Sequence, residues 1–120
     1  MKTNPKPFPK KLKYSFDGTE GDWMEDEMTA RIWRSNYESY ERKYGSNKNL
    51  IRAHFYGREL INELLETKDA VGIRIYYGLN DDGEKELLLY AVDKNGKDIV
   101  QKISPQVNIL DFGWRCPPYC

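Results

Sequence analysis

Three consecutive stretches decide the reading of this chain: Val71-Gly72-Ile73-Arg74-Ile75-Tyr76-Tyr77-Gly78, Asn80-Asp81-Asp82-Gly83, and Glu86-Leu87-Leu88-Leu89-Tyr90-Ala91-Val92. In the first, Val71, Ile73, Ile75 and Tyr77 alternate with Gly72, Arg74, Tyr76 and Gly78, which is the period of a strand. The second is a turn signal, and the third is the return strand. Together they predict a β-hairpin. A loop of even length sets Ile73, Ile75 and Tyr77 on one face with Leu88, Tyr90 and Val92; an odd loop flips one strand against the other. The even register collects the best apolar set and is the one expected. It leaves Arg74, Tyr76, Leu87 and Leu89 together on the second face, with Ala91.

Downstream, Asp93-Lys94-Asn95-Gly96-Lys97 reads as a three-residue loop with Gly96 in the left-handed region and Asp93 opposite Lys97. Ile99, Val100 and Ile103 then form a third strand, which gives an antiparallel meander. Pro105 ends it, and residues 106–120 are expected to be irregular, with a short strand over 107–110.

Upstream the period is that of helices. Asp22-Trp23-Met24-Glu25 fits a capping box, with Asp22 as N-cap. Met24, Met28 and Ile32 form one ridge; Ala30, Trp33, Tyr37, Tyr40 and Tyr44 form a second, and Gly45 follows as the stop. The aromatic ridge is expected to pack on the sheet. A second helix is predicted from about Asn47 to Lys68, capped by Ser46 or Asn47. Its buried face carries Leu50, Ile51, His54, Phe55, Ile61, Leu64 and Leu65, and Gly57 in its interior marks close approach of a neighbour. The fold class expected is α+β: an N-terminal antiparallel helix pair packed on a small antiparallel β-meander of about three strands. Residues 1–21, with Pro5, Pro7, Pro9 and five lysines, read as a flexible basic arm, and 22–120 as one domain.

Composition narrows the function classes. Lys plus Arg and Asp plus Glu each number 19, so the net charge is zero and electrostatic capture of nucleic acid is disfavoured. No apolar run approaches the roughly 20 residues that span a bilayer, and the N-terminal lysines precede no apolar signal segment. A cytoplasmic location and no membrane partner are expected.

GIRIYYG at 72–78, Asp93-Lys94-Asn95-Gly96 and Cys116-Pro117-Pro118-Tyr119-Cys120 occur in an order that resembles a group of small hypothetical proteins from Bacteroidota. The resemblance covers about residues 47–120. It implies the architecture and the grouping of these motifs, and no activity.

Three functions are consistent with the residues. No catalytic constellation is legible, so the first is a noncatalytic protein-interaction or assembly module. Its partner is another protein or a second copy, as a homodimer, and its contact residues are Arg74, Tyr76, Leu87 and Leu89, whose apolar face needs a cover. The second is a metal or thiol-redox protein using Cys116 and Cys120, with zinc as the candidate metal. Four ligands are required for a structural zinc, so His54 or a second chain would have to contribute; a short-loop disulfide is the alternative state of the pair. The third is a small-molecule binder with a pocket between helices and sheet, lined by Trp33, Tyr37, His54, Arg58 and Tyr77.

Overall fold

The computed structural model describes residues 15–45, 50–103 and 105–120. Its elements run α1 (Glu27–Tyr44), β1 (Ala53–Phe55), α2 (Arg58–Leu65), β2 (Gly72–Leu79), β3 (Lys85–Val92), β4 (Asp98–Ile99), β5 (Lys102–Ile103), β6 (Gln106–Val107) and β7 (Trp114–Cys116). All pairing is antiparallel: β2-β3-β4 form the central sheet, and β1-β7 and β5-β6 form two small ones. The chain is α+β, but the described residues do not show the expected N-terminal helix pair: α1 is followed by a strand and then a second helix of only eight residues.

The hairpin forms in the odd register, not the even one. Ile73 faces Ala91, Ile75 faces Leu89 and Tyr77 faces Leu87. The cause is the side chain of Asn80, whose Oδ1 accepts the N–H of Asp82 (2.9 Å) and of Glu84 (3.0 Å). This closes a three-residue loop in which the Asn80 N–H donates to the Glu84 carbonyl at 2.9 Å. Gly83 takes φ +77°, which a residue with a Cβ adopts only under strain. The next turn repeats the device residue for residue. Asp93 Oδ1 accepts from the Asn95 and Lys97 N–H groups (2.8 and 3.0 Å), and Gly96 has φ +78°. There the three-residue loop and the Asp93–Lys97 opposition match the expectation.

The predicted second helix is broken by Gly57, which adopts an extended conformation (φ −68°, ψ 149°) and serves as N-cap of the much shorter α2. Ahead of it Ala53-His54-Phe55 is a strand, because the tail folds back on it: His54 pairs with Arg115 and Phe55 with Trp114. Helix α1 starts four residues later than expected. Asp26 is its N-cap, accepting the Thr29 N–H at 2.7 Å, and Gly45 ends it with its N–H bonded to the Glu41 carbonyl.

The core is small. Leu64, Leu89 and Ala91 are its buried centre, surrounded by Tyr56, Ala70, Ile73, Leu87, Ile99 and Leu110. Thus α2 and the 110 region cover the Ile73–Leu89–Ala91 face of the hairpin. No residue of α1 is buried, so the aromatic ridge does not pack on the sheet as expected; α1 meets β3 through Lys85, whose Nζ bonds the Tyr37 hydroxyl (2.7 Å) and the Glu41 carboxylate.

Of the predicted basic arm, residues 1–14 lie outside the described residues, as do Ser46 and Asn47, the predicted caps of the second helix. Phe16 is tied down: its N–H donates to the Lys94 carbonyl (2.9 Å), and its ring lies under the Arg74 guanidinium at 5.8 Å. Among the described residues, no helix is long and apolar enough to cross a membrane.

Candidate functional site

The odd register splits the predicted interface. Leu87 and Leu89 lie on the core face, Leu87 half-buried and Leu89 buried, while Arg74 and Tyr76 lie on the other. Arg74 donates to Asp98 at 2.8 Å and to the Gly96 carbonyl at 3.1 Å. The Tyr76 hydroxyl donates to the same carboxylate at 2.5 Å, a bond that raises its pKa. Asp98, at the start of β4, is therefore the partner of Arg74.

What the hairpin exposes instead is an edge. Leu89 exchanges both backbone bonds with Leu110 (2.9 and 3.0 Å), so its N–H and C=O point away from β2. The Ile75–Leu89 pair is then the non-bonded kind, and the N–H and C=O of Ile75 point outward. By alternation, so do those of Ile73, Tyr77 and Leu79. On the far edge of β3 every outward carbonyl from Lys85 to Leu89 is bonded, and Ala91 lies in a strand pair. The Lys85 carbonyl accepts from His54 Nε2 (3.2 Å), Leu87 from the Tyr56 hydroxyl, Leu89 from Leu110, and Ala91 pairs with Ile99. The β2 edge has no strand partner among the described residues. Along it Tyr77 is 91% exposed, Leu79 70% and Ile75 53%. Over Gly72–Leu79 it carries no proline and no lysine, two of the devices that normally blunt an edge.

A cleft of about 660 Å³ lies between α1, β1 and the tip of the hairpin. Four of the five predicted pocket residues, Trp33, Tyr37, His54 and Tyr77, line it. Arg58 does not; it is the first residue of α2. Helical spacing located Trp33 and Tyr37, and strand alternation Tyr77, but His54, expected on a helix, reaches the cleft from a strand. Its side chain is buried at the base, with Nε2 donating to Lys85 and lying 4.0 Å from Glu86. Glu86 is itself buried and bonded by Arg115 (2.6 Å) and Asn80 (3.1 Å). Arg115 also meets Glu84 at 3.1 Å, and the bond to Glu86 is the main reason its pKa is raised. Sequence reasoning missed this cluster because its members come from the hairpin tip and the tail.

Cys116 and Cys120 form a disulfide, so neither sulfur is a thiolate ligand. His54 sits opposite Arg115 in the β1–β7 ladder, one position from Cys116, so the alternation of a strand turns it to the other face. Among the described residues no cluster of His, Cys, Asp and Glu could hold a metal ion. The donor set does not fit zinc.

No protein-family model matches the chain, and no curated protein or solved structure matches it either.

Proposed function

We propose that this chain is a noncatalytic assembly module that self-associates by antiparallel pairing of β2 with β2 of a second copy. The observation that carries the reading is the contrast between the two edges of the hairpin: the outward carbonyls of β3 are bonded, while β2 has no strand partner among the described residues. The outward residues are self-complementary. About a two-fold axis at Tyr76, Ile75 meets Tyr77 and Ile73 meets Leu79 of the second copy, giving about eight new backbone hydrogen bonds. Arg74 then faces Gly78, so no like charges oppose each other, and Arg74 is already neutralised by Asp98. The small core adds support. Leu64, Leu89, Ala91 and Val92 are the buried apolar side chains among the described residues, while Ile75, Tyr77 and Leu79 face water.

About eight bonds at ~0.5–1.5 kcal/mol each contribute ~4–12 kcal/mol against an association cost of ~4–15 kcal/mol, so the tightest dimer these terms allow has a Kd of ~1 μM and burial of the exposed Ile75, Tyr77 and Leu79 side chains must help to hold it. The resemblance to Bacteroidota proteins is compatible with this reading and adds no activity to it. The cytoplasm is the compartment we assign. There the Cys116–Cys120 bond faces a reducing pool, and pairing through β2 does not depend on it.

The test is light scattering across concentration on the 14.2 kDa chain. Ile75→Pro removes an outward N–H and leaves the β2–β3 ladder intact, so it should give a folded monomer. Tyr77→Lys, which keeps the backbone, should weaken the dimer in a salt-dependent way. A wild-type chain still monomeric at ~1 mM, a thousandfold above the tightest Kd these terms allow, overturns the proposal. So does a folded Ile75→Pro variant that dimerises like wild type.

A further inference from the structure

The cleft carries an inference that goes beyond strand pairing. Its walls are aromatic, from Trp33, Tyr37 and Tyr77, and its size suits a small organic molecule. Its charges do not cancel once their partners are counted. Lys85 is bound to Glu41, Glu38 meets Arg42 at 3.7 Å, and Glu86 is bonded by Arg115. Two cations on the wall remain, Arg34 and Arg52, and neither has a carboxylate partner within 4.0 Å among the described residues.

Arg52 is also held in place. Its N–H donates to the Cys116 carbonyl at 2.8 Å, and its Nη2 rests against the sulfurs of Cys120 (3.3 Å) and Cys116 (3.7 Å). Disulfide sulfurs are weak, uncharged acceptors, so the guanidinium keeps its full charge and most of its donors for another group. A planar fork beside aromatic faces suits one chemistry: a flat apolar body bearing a carboxylate.

We infer that this cleft binds a small aromatic carboxylate, with the ring among Trp33, Tyr37 and Tyr77 and the carboxylate on Arg52 and Arg34. The site shares Tyr77 with the β2 edge but differs in what it needs: its other groups come from α1 and from Arg52 just ahead of β1, and it uses no second copy.

The probe is 3-phenylpropionate, titrated calorimetrically into the full chain beside its amide, 3-phenylpropionamide, and its amine counterpart, 3-phenylpropylamine. The acid should bind saturably and at least ~10-fold more tightly than the amide, the discrimination expected of a charge-assisted bidentate contact. The amine should not bind. Arg52→Gln and Arg34→Gln should each weaken the acid by ~3–10-fold and leave the amide unchanged, with circular dichroism confirming the fold. Equal affinity for acid and amide overturns the inference, as does an Arg52→Gln variant that is folded and still binds the acid as wild type does. Absence of saturable binding by the acid overturns it as well.

Discussion

Gly83 and Gly96 occupy the same position in two copies of one turn, and replacing each by alanine separates backbone strain from packing. Both have φ near +78°, so alanine at either site carries the left-handed penalty of ~1–2 kcal/mol. At Gly83 an added Cβ meets nothing within 4 Å. At Gly96 it would lie 2.5 Å from Cε1 of Phe16 and 3.0 Å from Cζ. The overlap is with two ring atoms, too deep for a small tilt to relieve, while the Phe16 N–H can keep its bond to Lys94. The phenyl must leave its place between Gly96 and Arg74. It is half-buried, so its displacement forfeits ~1 kcal/mol of apolar burial and ~0.5–1 kcal/mol of cation–π attraction. Gly83→Ala should therefore cost ~1–2 kcal/mol and Gly96→Ala ~2.5–4 kcal/mol, measured by urea unfolding at one pH. The excess should disappear in a Phe16→Ala background, where no ring remains to displace. Equal losses at the two glycines, or an excess that persists without the ring, would refute the reasoning.

Two further outcomes follow from the charged cluster at the tip of the hairpin. Arg115→Met leaves the buried Glu86 carboxylate without its 2.6 Å partner, and should cost ~2–3 kcal/mol, below the usual figure for a buried pair because Arg115 is 29% exposed. Glu86→Gln should recover part of that loss in the Arg115→Met chain, and urea melts showing no recovery would mean the charge is not the cause. Acid should also weaken the fold in a defined window. The Asn80 side chain, then the Arg115 charge, hold the Glu84 carboxyl below its ordinary 4.5, and the Thr29 N–H holds that of Asp26 below 3.8. A lowered folded pKa gives stability that is complete above the unfolded value and lost as pH falls through the folded one. Stability should thus be flat above pH ~5 and fall below it, with a shallower slope in Glu84→Gln; an unchanged slope would exclude Glu84 as a contributor.

Local chemistry was readable and long-range chemistry was not. The two strands of the hairpin, the loop ending in Gly96 and the body of α1 follow from period and turn residues a few positions apart. The parity of the hairpin failed on one side chain. Asn80 does at the first turn what Asp93 does at the second, but apolar bookkeeping favoured an even loop and outweighed the Asn-x-x-Gly signal. The strand at Ala53–Phe55 had no local signature to find, since three residues become a strand only when Trp114–Cys116 arrives. Helical spacing placed Trp33 and Tyr37 correctly on one side of α1, yet it carried no information on whether that side meets a sheet or an open cleft.

The clasp between β1 and β7 also sets a clock on synthesis. His54 and Arg115 are partners 115 − 54 = 61 residues apart. At ~5–20 residues per second, translation needs roughly 3–12 s to deliver the second after the first. Over the last part of that interval, after Val92 is made, the nascent chain holds a complete hairpin while the base of its cleft is unbuilt and the lower rim of β3 stands uncapped. The twin turns let the hairpin close early from neighbouring residues alone; the tail, arriving last, decides when the molecule stops offering two open edges and offers one.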